Sequence, residues 1–241
     1  MTALVAALKA VPAPAVLASS LSAEDMVLTH AIATAGLPIG VFVLDTGRLH
    51  GDTLVLLERI RKAYAIEVAV YAPDPGLVAD YVRAYGRDAF YQGVELRKRC
   101  CAIRKVEPLS RALAGKRAWV TGQRREHSAE RAWLPEREQD GVHGIEKFNP
   151  LAAWSDEQVW GYLREHRVPY NRLYDQGYRS IGCAPCTRPV RPDEESRAGR
   201  WWWESSEQKE CGLHLAADGR LVRKSGTHQK ENGVRPQETI P

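Results

Sequence analysis

Ile39-Gly40-Val41-Phe42-Val43-Leu44, followed directly by Asp45-Thr46-Gly47-Arg48-Leu49, is the stretch from which the fold is read. Six residues with no polar side chain form a strand apolar toward both faces, as a strand with helices on each side must be. A turn with a basic residue closes it. Amphipathic sequence from Asp52 to Tyr64 then predicts a helix. The same alternation recurs outward in both directions. Val16 to Ser19 reads as a strand and Glu24 to Ala35 as a helix. Ile66 to Tyr71 is a strand, Gly76 to Tyr85 a helix, and Ala118 to Thr121 a further strand. Asp156 to His166 is helical, with Ser155 as its N-cap. Leu96 to Leu113 is helical sequence that Pro108 is expected to break or kink. Repeated strand–helix units predict an α/β fold around a parallel sheet.

The 241 residues carry a formal net charge of +4, with 44% hydrophobic and 27% charged residues. That balance suits an anionic small molecule or a weak nucleic-acid contact and decides neither. No apolar run approaches the ~20 residues of a membrane span. Met1 to Ala10 has no apolar core followed by a cleavage site, so a cytoplasmic chain is expected. From Thr187 onward aliphatics are few and charges many, interrupted by Trp201-Trp202-Trp203. The expected organisation is an α/β domain over 1–200 and a mobile C-terminal tail over 201–241.

The five cysteines divide into four and one. Cys100 and Cys101 are adjacent, and Cys183-Ala184-Pro185-Cys186 forms a second pair. Four thiolates in two pairs suit a tetrahedral metal or an iron–sulfur cubane. Disulfides fit poorly with an odd count in a reducing compartment. Cys211, in Glu210-Cys211-Gly212-Leu213-His214, stands alone on polar sequence and suits a nucleophile, with a buried inert thiol as the other reading.

In open α/β sheets ligands bind outside the C-terminal ends of the strands. Three segments belong there: Ser19-Ser20-Leu21-Ser22-Ala23-Glu24-Asp25, Asp45-Thr46-Gly47-Arg48, and Thr121-Gly122-Gln123-Arg124-Arg125-Glu126-His127-Ser128. Hydroxyls and free N–H groups before a helix make an anion site, although Ser22 with Asp25 also reads as a capping box. Arginines at the equivalent point of the other two segments favour an anionic ligand.

Ser-x-Ser-x-Glu-Asp (residues 20–25), Leu-Asp-Thr-Gly-Arg (44–48), Arg-Lys-Arg-Cys-Cys-x-Ile-Arg-Lys (97–105), Thr-Gly-x-Arg-Arg (121–125) and Glu-Cys-Gly-Leu-His (210–214) occur in that order. Together they resemble the assimilatory adenylyl-sulfate/phosphoadenylyl-sulfate reductase family. The resemblance runs from about Ser19 to His214. It implies a Rossmann-like parallel sheet of the PP-loop adenine-nucleotide-binding type. Leu21 and Ala23 stand where the ATP pyrophosphatases of that fold have paired glycines, so ATP cleavage is not expected.

The branch of that family with all four paired cysteines uses adenosine 5′-phosphosulfate. The resemblance therefore implies a [4Fe–4S] cluster on Cys100, Cys101, Cys183 and Cys186, with strain expected near Cys100. It implies Cys211 as the nucleophile, an S-sulfocysteine intermediate, and an external thiol, thioredoxin or glutaredoxin, to release sulfite. Ser20, Ser22, Lys105, Gly122, Arg131, Arg197, Arg200 and His214 are the implied substrate-binding residues. The cluster is expected to tune Lys105 rather than deliver electrons. Reduction of the 3′-phosphorylated nucleotide is the alternative activity, and a zinc-stabilised nucleic-acid module the alternative class. No membrane or nucleic-acid partner is expected, and a homo-oligomer is compatible with the sequence.

Overall fold

The computed structural model describes residues 2–128 and 131–204. Six strands form one sheet: β1 (Ala15–Ser19), β2 (Ile39–Leu44), β3 (Val68–Tyr71), β4 (Ala118–Val120), β5 (Arg137–Asp140) and β6 (Ile145–Phe148). Their order is β3-β2-β1-β4-β6-β5, parallel throughout except for the β5–β6 pair. The chain builds outward from β1 to β3, then returns to lay β4 on the other side of β1. The order therefore reverses between β1 and β4, where an open sheet parts its loops to admit a ligand.

Period-two alternation divides each central strand between two cores. Ala15 and Leu17, Ile39, Val41 and Val43, and Ala118 and Val120 enter the larger core. It is closed by α1 (Thr2–Lys9), α2 (Ala23–Thr34), α3 (Gly51–Tyr64) and α7 (Asp156–Glu165). Val16, Phe42 and Trp119 point the other way, against Leu109, Ala112 and Leu113 of α6 (Glu107–Leu113). Helix α4 (Pro75–Tyr85), capped by Asp74, buries only Tyr81. Among the described residues no helix is long and apolar enough to cross a membrane.

The sequence departs from its expected elements in three places. Pro108 does not break its helix. Helix α5 (Val94–Cys101) continues through a π turn at Ala102–Val106 into α6, and the Glu107 N–H donates to Ala102 O, five residues back. Widening the helix just ahead of Pro108 relieves the clash its ring would make with the preceding turn. Cys101 keeps ordinary helical angles (φ −65°, ψ −38°), and the irregularity begins at the residue after it. The β5–β6 hairpin was not expected, because Arg137-Glu138-Gln139-Asp140 is an edge strand with no apolar face. Its pairing is ionic, through Arg137–Glu146 and Lys147–Glu138 (2.9 Å). Finally, residues 188–204 pack onto the domain across the expected 200/201 boundary: Trp201 is buried, and Glu204 forms a fully buried pair with Arg97 (2.8 Å).

One further buried pair ties the sheet's C-terminal edge together. Arg124, in the loop after β4, donates to Glu24 of α2 (2.8 Å), Asp156 of α7 (2.9 Å), Glu126 (3.1 Å) and the Trp154 carbonyl (3.0 Å). Burial alone would raise the Glu24 carboxyl. The hydrogen bond from His127 and the charge of Arg124 outweigh it and hold the group at about 2, below its ordinary 4.5. A depressed folded-state pKa contributes stability that is present above the unfolded value and lost as pH falls through the folded one, here about 3 kcal/mol. Glu24→Gln should lower stability at pH 7 and flatten the acid limb between pH 4.5 and 2. Urea unfolding at pH 7, 4.5 and 3 measures this, and parallel pH slopes for the two proteins would contradict it.

Candidate functional site

A cleft of about 240 Å³ opens at the reversal point between β1 and β4. Phe42, Leu109 and Trp119 give it an apolar floor. Its rim is made by the loops after β1 and β4. In the first loop Leu21 adopts a left-handed φ of 60° with its side chain fully buried. That turn points the flanking serines at the cleft. The Ser22 hydroxyl caps α2, accepting from the Asp25 N–H (3.4 Å). The return bond of a capping box goes elsewhere: Asp25 Oδ2 accepts from both the N–H and the hydroxyl of Ser20, each at 2.7 Å. Burial pushes the Asp25 carboxyl up, and the Ser20 donors pull against it.

Gly122 in the second loop lies directly over this arrangement. A Cβ there would sit 2.5 Å from Asp25 Oδ1 and 2.8 Å from Glu24 Cβ, so only glycine permits the contact. Of the residues expected to bind substrate, Ser20, Ser22, Lys105, Gly122, Arg131, Arg197 and Arg200 all line the cleft. Cys211 and His214 lie outside the described residues.

The arginines of the strand-end loops do not supply the cleft's charge, contrary to expectation. Arg124 is enclosed by the three carboxylates above, and Arg125 Nε donates to Leu134 O (2.9 Å). Arg48 pairs with Asp88 (2.7 Å) and lies over the Phe90 ring. These side chains are taken by partners that sequence neighbours do not reveal. The positive charge comes instead from Lys105 on the π turn and from Arg131, Arg179, Arg197 and Arg200. Arg179 and Ser180 were missed, although they stand just ahead of Cys183 in a polar turn. His127 and the aromatic floor were missed too, since nothing local marks them as facing a ligand.

The four paired cysteines meet at a second, smaller cavity that also takes in Arg48, Arg97, Arg104 and Lys105. All four are free thiols. The Cys183–Cys186 turn is held by the Cys186 N–H donating to Cys183 O (2.9 Å) and the Ala184 N–H to Arg48 O (2.8 Å). Thr46 Oγ1 lies 3.2 Å from Cys183 Sγ. Burial and the neighbouring Cys183 and Cys101 push the Cys186 thiol up to about 12. Burial also raises Cys100, against the pull of Arg104. Among the described residues no group of three or more Cys, His, Asp or Glu closes tightly enough to hold a single metal ion. Lys105, Cys183 and Trp201 form part of both cavities, so the cysteine site and the cleft share one wall. The geometry defines an α/β nucleotide-type cleft with cationic walls backed by a four-thiol site.

The model of the phosphoadenosine phosphosulfate reductase domain matches residues 14–189, and the chain belongs to that family. An adenosine 5′-phosphosulfate reductase of Burkholderia cepacia is 60% identical over 198 residues, 82% of this chain and 79% of that protein. One from Allochromatium vinosum is 58% identical over 199 residues, 83% of this chain and 78% of that protein. Among solved structures, a phosphoadenylyl-sulfate reductase of Candida auris in complex with phosphate superposes with a TM-score of 0.65 at 28% identity, covering 78% of this chain and 89% of that one. An FMN adenylyltransferase of Candida glabrata, at 14% identity and a TM-score of 0.51, covers 86% of this chain and 75% of that one and shares the fold alone.

Gly122→Ala should cost about 1–3 kcal/mol, because a methyl group must displace the Asp25 carboxylate and the start of α2. It should also weaken nucleotide binding through the displaced Ser20. Thermal unfolding and calorimetric titration with AMP test both effects, and a variant with wild-type values in each would show that the loops tolerate the methyl.

Proposed function

We propose that this protein reduces adenosine 5′-phosphosulfate to sulfite and AMP, with Cys211 as nucleophile and a [4Fe–4S] cluster on Cys100, Cys101, Cys183 and Cys186. The observation that carries the reading is the shared wall: a lysine and a cysteine of the four-thiol site also line a cationic nucleotide cleft. Family membership and the high identity to named adenosine 5′-phosphosulfate reductases support the same substrate.

The donor set suits the cluster. Burial and neighbouring cysteines hold Cys100 and Cys186 in the thiol form, so the set becomes four thiolates only where a cationic centre compensates them. Arg104 and Lys105 border the same cavity and would offset the residual negative charge. When bound, the cluster would anchor both cysteine segments and place negative charge behind Lys105. The chain's own groups do the rest. The apolar floor of Phe42 and Trp119 suits the adenine face. Ser22 and Gly122 bring polar groups to the nucleotide, while Lys105, Arg131, Arg197 and Arg200 neutralise the phosphosulfate.

The Cys211 thiolate attacks the sulfate sulfur. A Cys–S–SO₃⁻ bond forms as the sulfur–oxygen bond to the phosphate breaks, and AMP leaves with its negative charge met by the cationic wall. His214, three residues on, serves the same charge. An external dithiol of the thioredoxin or glutaredoxin type then attacks Sγ. Sulfite departs, and the two electrons that lower sulfate to sulfite come from oxidation of that dithiol to a disulfide. The four other cysteines are committed to the cluster, which is why the reductant is external.

Cys183→Ser should lose the visible iron chromophore and most activity, as should Cys101→Ser. Protein purified without oxygen that holds one zinc and no iron would defeat the cluster assignment. Cys211→Ser should keep both chromophore and AMP binding and yet form no sulfite. Wild-type protein given nucleotide without reductant should gain the mass of one SO₃ group on the peptide bearing Cys211. Specificity constants measured with both nucleotides should strongly favour the 5′-phosphosulfate, and reversed values would assign the chain to the 3′-phosphorylated substrate.

A further inference from the structure

We propose that His127 is a positioning residue, which links the buried carboxylate of Glu24 to Arg131 and thereby holds that arginine in the cleft. The inference rests on the reading of the cleft as a nucleotide site. It concerns a residue that the reaction itself does not require.

The ring's hydrogen bonds determine its form. Glu24 Oε1 lies 2.9 Å from His127 Nε2 and, ionised, can only accept, so Nε2 carries the proton. On the other side, Nδ1 faces the Arg124 backbone N–H at 3.3 Å and Arg131 Nη1 at 3.3 Å. Both of these can only donate, so Nδ1 must present its lone pair. His127 is therefore a neutral imidazole with its tautomer fixed from both sides. It accepts from one guanidinium and donates to the carboxylate that the other guanidinium also holds.

The placement gives this a function. Arg124 is spent on Glu24, Glu126, Asp156 and a carbonyl and does not line the cleft. Arg131 does line it, and so does His127. The His127 ring joins Glu24 to Arg131 through one donor and one acceptor. A long, rotamer-rich arginine held in this way loses less entropy on meeting a phosphate group.

The two amide variants separate the two links. In His127→Asn the amide oxygen falls near Nδ1, which keeps the acceptor for Arg131 and abandons Glu24. In His127→Gln the amide nitrogen falls near Nε2, which keeps the bond to Glu24 and abandons Arg131. Steady-state reduction of adenosine 5′-phosphosulfate with thioredoxin is measured for the wild type, both amide variants, His127→Ala, Arg131→Ala and the double alanine variant. His127→Ala and Arg131→Ala should each raise KM about tenfold with kcat little changed, the loss expected for a hydrogen bond to a charged group. The double variant should be no worse than Arg131→Ala, and Asn should lie closer to wild type than Gln.

If Gln restores the low KM and Asn does not, the histidine merely ties α2 to the β4 loop and the proposal falls. It falls equally if His127→Ala multiplies the KM of Arg131→Ala by its full factor. A wild type that turns over no adenosine 5′-phosphosulfate overturns the substrate reading instead. In that case the same order of variants in AMP affinity, read by calorimetry, still decides the role of His127. Should the alanine variant fail to fold, the Asn–Gln comparison carries the decision alone.

Discussion

The Glu24 carboxylate is the point from which the cleft is hung. It sits in the first turn of α2, nearly buried, and receives Arg124 and His127 from the loop after β4. Arg124 then reaches Asp156 at the start of α7. Three elements that share no sequence neighbourhood are thus fixed at one edge of the sheet. The two loops that flank the reversal point are the first and third of the expected ligand segments, so their separation is set by this pair. Losing one partner of such a buried pair typically costs about 3–5 kcal/mol, since the other is left charged and uncompensated. The cleft's width is therefore a property of the core and not of mobile loops.

A comparable knot holds the opposite wall. Trp201 is buried between two guanidinium groups, Arg97 at 4.4 Å and Arg200 at 4.7 Å from its ring, which suits the negative face of an indole. Arg97 belongs to the cysteine cavity and is closed off by Glu204 (3.0 and 2.8 Å). Arg200 belongs to the cleft, and its guanidinium occupies the space a side chain at Gly182 would need. One tryptophan thus lines both cavities. The Trp201 backbone N–H, donating to Cys186 O (3.1 Å), ties the same segment to the second cysteine pair.

These relations explain what was legible in the sequence. β1, β2 and β4 were readable because strands buried on both faces leave apolar runs that no loop imitates. The cysteine pairs were readable because thiols are few and their neighbours distinctive, and all four meet at one cavity. The β5–β6 hairpin left no such trace, its strands being held by charge pairs at an edge. Arg124 was misread for a related reason: a buried arginine and a ligand-binding arginine look alike until the carboxylates around one of them are known. Glu24 and Asp156 lie 100 and 32 residues away, so no local pattern could disclose them. Residues 188–204 looked like tail because the anchors there are aromatic and charged, while the core elsewhere is aliphatic.

Leu21 shows how a departure from a glycine-rich loop can be structural and functional at once. The residue takes a left-handed φ of 60°, a conformation that disfavours any side chain and especially a bulky one. The complete burial of its isobutyl group in the larger core offsets that cost, so the turn is locked by packing where a glycine loop would remain adaptable. Asp25 adds a second lock by binding both polar groups of Ser20, and Gly122 closes over it with no room for a methyl. A loop held by packing, hydrogen bonding and steric fit cannot remould itself around a long polyphosphate. It presents a fixed, narrow edge, and the charge needed by an anionic ligand must then come from the other side of the cleft. That is where Lys105, Arg197 and Arg200 stand, next to the four thiols.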